Sequence, residues 1–167
     1  MERIVIQEIK SDKLLLYREF FMAGLQSDGE NFRISPDDEK KASFPTRDKH
    51  DSFTLGAFLA EELIGVISFE RDGASREKLR HKGMIMRMYV SPGHRGKGVA
   101  KKLMQKVIKR SIALHTIEQI NLSLNAANQR AKSLYEFFGF KTWGTEQRAI
   151  KWEGRFFEED FMSLRLR

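Results

Sequence analysis

The spacing of apolar residues changes several times along the chain, and each change marks an element. Residues 3–9 (Arg-Ile-Val-Ile-Gln-Glu-Ile) read as a strand. Residues 13–25 carry Leu14, Leu15, Tyr17, Phe20, Phe21 and Leu25, an amphipathic helix pattern. Residues 26–51 are polar and hold two of the three prolines; Ser35-Pro36 inside them is a helix-start signal. From Phe53 to Glu70 the period shifts to two. Phe53, Leu55, Ala57 and Leu59 alternate with their neighbours, Ala60-Glu61-Glu62 turns the chain, and Leu63 to Phe69 returns, so a hairpin is expected. Residues 71–83 are charged, contain Gly73 and Gly83, and read as a loop. Met84 to Val90 is a strand ended by Ser91-Pro92-Gly93-His94. A helix from about Lys97 to Ala113 follows, with Val99, Leu103 and Val107 four apart. Then come a strand (Gln119–Leu124), a helix (about Asn128–Phe138) and two strands near 141–150 and 156–166. Strands alternating with helices predict an α/β sheet with parallel pairing in its middle, and the hairpins before and after predict antiparallel flanks.

Composition narrows the class. The 167 residues fit a single domain over 1–167, long enough to bury a core without staples. At 41% hydrophobic and 32% charged, the chain is neither a disordered tail nor a membrane bundle. It has no cysteine, which removes disulfides, thiolate metal sites and a cysteine nucleophile, and fits a reducing, cytoplasmic setting. The opening Met1-Glu2-Arg3-Ile4-Val5-Ile6 lacks a basic region followed by an apolar stretch, so no secretory leader is expected; no run is long enough for a membrane span. Thirty basic against 23 acidic residues leave +7, which favours anionic ligands such as phosphorylated cofactors.

The segment Tyr89-Val90-Ser91-Pro92-Gly93-His94-Arg95-Gly96-Lys97-Gly98-Val99-Ala100 carries the most chemistry. A strand ends, a glycine-rich loop turns, and a helix begins within the glycines. Glycines accept positive φ and let successive N–H groups converge, while a first helical turn has unpaired N–H groups and the positive end of the dipole. Together they form an anion seat. The two common phosphate loops fit poorly. After Gly93 and Gly98, the residues Val99 and Ala100 replace the lysine and hydroxyl of a P-loop. In a dinucleotide fingerprint started at Gly96 and Gly98, Lys101 occupies the third glycine, and the expected carboxylate, Glu118, falls before the next strand.

The sequence here resembles the GCN5-related N-acetyltransferase (GNAT) superfamily. Its R/Q-x-x-G-x-G/A signature is matched by Arg95-Gly96-Lys97-Gly98-Val99-Ala100, after a strand ending Tyr89-Val90-Ser91-Pro92. A second segment, Asn125-Ala126-Ala127-Asn128-Gln129-Arg130-Ala131-Lys132-Ser133-Leu134-Tyr135-Glu136-Phe137-Phe138-Gly139-Phe140, is similar to the family's N-x-x-A-x-x-L-Y-x-x-x-G-F. The stretch Gly154–Leu164 is similar, more weakly, to the tails of bacterial small-molecule members. The resemblance implies an α+β fold with a mixed, splayed central sheet of about seven strands and helices on both faces, and acetyl-CoA as donor. It implies that the main chain of Arg95, Gly96, Lys97, Gly98, Val99 and Ala100 holds the pyrophosphate. It also implies that Met88, Tyr89 and Val90 pair with the pantetheine amides, that Asn128 contacts the cofactor arm, and that Tyr135 stands beside the thioester sulfur.

Acetyl transfer to an amine needs an anchored donor and acceptor, an N–H near the thioester oxygen, a base for the ammonium proton and an acid for the leaving thiolate. Tyr135 suits the acid: it lies seven residues after Asn128, about two turns on, so both share one helix face. The base is not legible. Glu70 or a chain of waters are the candidates. His50, His81, His94 and His115 have no metal spacing, so no metal is expected. The cations Lys97, Lys101, Lys102, Lys106, Lys109 and Arg110 read as a solvated helix face whose first turn could also meet the 3′-phosphate of CoA, without the interleaved aromatics of a nucleic-acid binder. The expectation is an N-acetyltransferase acting on a primary amine of a small molecule (polyamine, amino acid or aminoglycoside-like) or of a protein, with no nucleic-acid or membrane partner and a possible homodimer. The alternative is a non-catalytic acyl-CoA-binding module of the same fold.

Overall fold

The computed structural model describes residues 3–73 and 76–167. Residues 74 and 75 of the loop expected over 71–83, and Met1 and Glu2 of the opening segment, lie outside the described residues. The strands are β1 (Ile4–Ile9), β2 (Phe53–Leu59), β3 (Glu62–Arg71), β4 (Lys82–Val90), β5 (Gln119–Asn125), β6 (Lys141–Trp152) and β7 (Arg155–Arg165). The α-helices are α1 (Leu14–Ser27), α2 (Pro36–Lys41), α3 (Val99–Ala113) and α4 (Gln129–Phe137). One sheet contains every strand in the order β1-β2-β3-β4-β5-β7-β6. The expected parallel centre is the β4–β5 pair, flanked by antiparallel neighbours on both sides.

Local chemistry accounts for the boundaries. Ser35 accepts from the Asp38 N–H while the Asp38 carboxylate accepts from the Ser35 N–H, a capping box with Pro36 in the first turn of α2. α3 starts at Val99, two residues later than the spacing suggested, because Gly98 sits at φ +79 and cannot continue a right-handed helix backwards. β3 and β4 reach Arg71 and Lys82, so the loop between them is shorter than expected. Arg71 extends the strand despite its charge because its guanidinium is held by Asp51 at 2.6 Å and by Thr116 at 2.7 Å. Glu153 and Gly154, at φ +49 and +75, form the tight turn between β6 and β7.

The sheet buries both faces. On one side α3 and α4 contribute Leu103, Met104, Val107 and Tyr135 against Ile64, Ile67 and Leu122. On the other, α1 contributes Tyr17, Phe21 and Leu25 against Ile9, Val66 and Tyr89. The cationic face expected on α3 is exposed at Lys102, Lys106 and Lys109, but Arg110 turns in to make a two-pronged bond to Glu8 and lies 4.0 Å from the Phe53 ring centre. No helix among the described residues is long and apolar enough to cross a membrane.

α1 approaches the sheet through Gly24, where an added Cβ would lie 2.8 Å from the Tyr89 ring. Gly24→Ala must therefore push α1 and β4 apart. It is expected to destabilise the protein by roughly 1–3 kcal/mol, the usual penalty of overpacking, as a lower thermal midpoint in calorimetry.

Candidate active site

β4 and β5 are paired only at Lys82, Gly83 and Met84, opposite Gln119, Ile120 and Asn121. Beyond Met84 the two strands part, and a cleft of about 710 Å³ opens between them. One wall is Ile85–Val90 of β4; the other is Leu122–Asn125 of β5 with Asn128, Ala131, Leu134 and Tyr135 of α4 and its cap. The start of α3 closes one end, and Asn31 and Phe32 from the turn after α1 join the lining. Because β4 has no partner strand on this side, its main-chain polar groups there must be met by water or by a ligand.

The glycine turn lies at the edge of this cleft. Ser91 donates its N–H to Ile64 O at 3.0 Å, and its hydroxyl bonds His94 Nδ1 at 2.8 Å, which anchors the turn's first half. Gly96 and Gly98 adopt φ +75 and +79, the left-handed region. Among the described residues no acceptor answers the main-chain N–H groups of Gly96, Lys97, Gly98, Val99 or Ala100. The space beside Gly93, Gly96 and Gly98 is open: an added Cβ would meet nothing within 4 Å. Such a row of free N–H groups at a helix start fits a diphosphate, and so fits the cofactor expected from the sequence.

Of the residues singled out in the sequence, Met88, Tyr89, Val90, Arg95, Gly96, Gly98, Val99, Ala100, Asn128 and Tyr135 line the cleft. Lys97 is exposed and outside the lining. The Arg95 side chain is engaged within the protein rather than with a ligand. Its Nε donates to Val90 O at 3.0 Å, a terminal nitrogen meets Asp28 Oδ2 at 2.5 Å, and the guanidinium lies 5.8 Å from the Tyr89 ring centre. Asn128 caps α4 by accepting the Ala131 N–H at 3.1 Å, so its amide NH₂ is the end left for a ligand. Tyr135 is buried, and burial alone pushes its phenol up to about 12. It therefore keeps its proton throughout the neutral range.

Glu70 pairs in register with Met84, where the sheet is still closed, and is not part of the lining. Among the histidines only His94 lines the cleft. Among the described residues no group of three or more histidines and carboxylates is gathered as a metal site. Asp28, Asn31, Phe32 and Arg130 are in the lining without having been singled out in the sequence, Lys101 joins them from the cationic face of α3, and Arg87 had been given no role. Arg87 stands at φ +56 within β4. Val66 pairs with Tyr89 and Ser68 with Met86, so Ile67 faces both Arg87 and Met88, a β-bulge.

The family model described as the acetyltransferase (GNAT) family matches residues 16–140, and the chain belongs to that family. None of the curated proteins matches it by sequence. In fold it is similar to an N-acetyltransferase from Staphylococcus aureus Mu50, with TM-score 0.85 and 20% identity over 99% of each chain. It is similar to ribosomal-protein-alanine N-acetyltransferase from Brucella melitensis, with TM-score 0.81 and 18% identity over 97% of this chain and 99% of that one. A third similar structure is yncA from Salmonella typhimurium with its cofactor acetyl-CoA, at TM-score 0.79 and 18% identity over 98% of this chain and 94% of that one. The chain thus has the mixed, open α+β sheet of GNAT acetyltransferases.

Gly98→Asp adds both a side chain at positive φ and a negative charge beside the free N–H groups. Calorimetric titration is expected to show CoA binding weakened at least about tenfold, with the thermal midpoint lowered by the strain of a side chain at positive φ.

Proposed function

We propose that the protein transfers an acetyl group from acetyl-CoA directly to a primary amine of a small molecule or of a protein. The observation that carries this is the run of unanswered N–H groups from Gly96 to Ala100, opening on a cleft that also holds Tyr135. Acetyl-CoA supplies the activated acyl group when bound; the rest is the work of the chain. The loop N–H groups grip the diphosphate, and the unpaired edge of β4 at Met88–Val90 takes the pantetheine amides as an added strand would. Asn128 donates its amide NH₂ to the same arm. Held this way, donor and amine meet in one orientation, which replaces much of the entropic barrier of a bimolecular step.

In the transfer, the amine nitrogen forms the new C–N bond and the C–S bond breaks. A main-chain N–H of the β4 wall bears on the carbonyl oxygen as negative charge gathers there. The Tyr135 hydroxyl gives its proton to the departing thiolate and recovers one from solvent. The chain has no cysteine, which favours direct attack over an acyl-enzyme. Asp28 is the one carboxylate among the lining residues, and it is tied to Arg95. His94, the lining histidine, is bonded through Nδ1 to the Ser91 hydroxyl, so the amine's proton leaves through water. With Asp28 tied, a polyamine or aminoglycoside finds no free acid on the described wall, which favours an acceptor with few other positive charges.

Labelled acetyl-CoA incubated with a panel of amino acids, polyamines, aminoglycosides and peptides, with thiol release as the readout, tests the reading. Failure of the protein to bind CoA would end it. Binding without turnover on any amine would favour the non-catalytic module. Tyr135→Phe is expected to lower kcat about a hundredfold or more at unchanged acetyl-CoA affinity. The pH profile carries a second check. A folded-state pKa of about 12 keeps the phenol protonated, so the wild-type rate should show no loss assignable to Tyr135 between pH 8 and about 10.

A further inference from the structure

α2 is a short, polar helix, Pro-Asp-Asp-Glu-Lys-Lys, and the single residue it buries is a charged one, Glu39. A wholly buried carboxylate is tolerated only with a charged, hydrogen-bonded partner. That partner is Arg87, whose terminal nitrogen lies 2.7 Å from Glu39 Oε2. Arg18 stands farther off, with its Nε 3.9 Å from Oε1, and neither Oε1 nor that Nε has a hydrogen-bond partner. The Arg87 bond is thus the carboxylate's one hydrogen bond among the described residues. On its other sides Arg87 meets the Tyr17 hydroxyl at 3.5 Å and lies 5.3 Å from the Phe21 ring centre. Arg87 is also the residue at positive φ in the β4 bulge, a conformation an arginine does not choose for itself. Its anchored side chain and its unusual main chain belong to the same residue, and that residue lines the cleft together with Met88 and Tyr135.

We propose that Glu39 is a positioning residue: by holding the Arg87 guanidinium it fixes the β4 bulge in the conformation that aims the main chain of Arg87 and Met88 at the thioester carbonyl. The inference rests on the acetyl-CoA reading above, and it explains why a six-residue helix from the other side of the sheet delivers an acid beneath the cleft wall. Removing the acid leaves a buried guanidinium that must turn outward to find water, and the bulge goes with it. Removing both charges and placing glycine at the bulge restores the conformation without the clamp, because glycine enters positive φ freely.

The test compares wild type, Glu39→Gln and the double variant Glu39→Gln/Arg87→Gly, each bound to acetyl-CoA labelled with carbon-13 at the acetyl carbonyl. Isotope-edited infrared spectra report how strongly the carbonyl is polarised, and titration calorimetry reports binding, so no acceptor is needed. Wild type is expected to shift the carbonyl stretch to lower frequency relative to free acetyl-CoA. Glu39→Gln is expected to lose most of that shift while binding within about threefold of wild type, and the double variant to regain it. With an accepted amine, kcat of Glu39→Gln should fall at least about tenfold at an unchanged KM for acetyl-CoA. A full shift in Glu39→Gln, or no shift in the wild-type complex, overturns the proposal. Should Glu39→Gln fail to fold by circular dichroism, the double variant decides: folded with the shift supports the clamp, folded without it overturns the clamp. Wild type that does not bind acetyl-CoA at all refutes the acetyltransferase reading instead.

Discussion

Past Met84, β5 leaves β4, and the hydrogen-bonding edge of a central strand is left without a neighbour. Inside a folded protein such an edge is a demand, since each N–H and C=O on it needs a partner. The first turn of α3 makes the same demand a few residues later, with its leading N–H groups free. The two sets of groups are contiguous in the chain and face one cleft. A ligand that offers amides at one part and a diphosphate at another answers both at once. Few small molecules combine those features, which is why the split sheet, rather than any single side chain, carries the functional reading.

The rest of the molecule keeps the split in place. Gly24 lets α1 press directly on the Tyr89 ring, and Arg95 reaches from the glycine turn to Val90 and to Asp28. Asp28 follows the last residue of α1 and leads into the turn that supplies Asn31 and Phe32 to the cleft. The donor loop and this lining segment are thus joined by one ion pair, with side chains 31% and 26% exposed, where screening by solvent is partial. On the opposite face, Gly65 lies against Val99 and Leu103, where an added Cβ would be 3.0 Å from Val99. Both ends of the β4–α3 turn are therefore fixed by close packing.

Much of this was legible in the sequence. Alternating apolar residues marked the strands, the glycines marked the turn whose N–H groups go unanswered, and the seven-residue spacing put Asn128 and Tyr135 on one wall. What was not legible depends on contacts distant in the chain. Arg87 is the one charge in the apolar strand expected over Met84–Val90, and its partner, Glu39, is 48 residues away. Glu39 lies in a stretch that reads simply as polar, because its four charged helix neighbours, Asp37, Asp38, Lys40 and Lys41, are exposed. Nothing local marks the bulge, since an arginine at φ +56 is held there by tertiary packing and not by propensity. Lys97 stands inside the glycine turn, as its place in the motif requires, but its side chain is exposed and outside the lining.

The charges of the cleft share a pattern. Asp28 is paired with Arg95, and Arg87 with Glu39, so three charged groups of the lining, Asp28, Arg87 and Arg95, are matched within the protein. These pairs shape the main chain more than they meet a ligand. Under the proposed function the donor meets chiefly backbone, the loop N–H groups and the open edge of β4, with Lys101 and Arg130 as the other cations of the lining. Backbone recognition constrains φ and ψ, and through them a few glycines, but leaves most side chains free. A chain can then share 18–20% of its residues with structures of the same fold and keep an equivalent strand, turn and helix. On this view the acceptor is set by the residues that vary most freely, those on the loops around the cleft mouth, and the donor by the geometry that cannot vary.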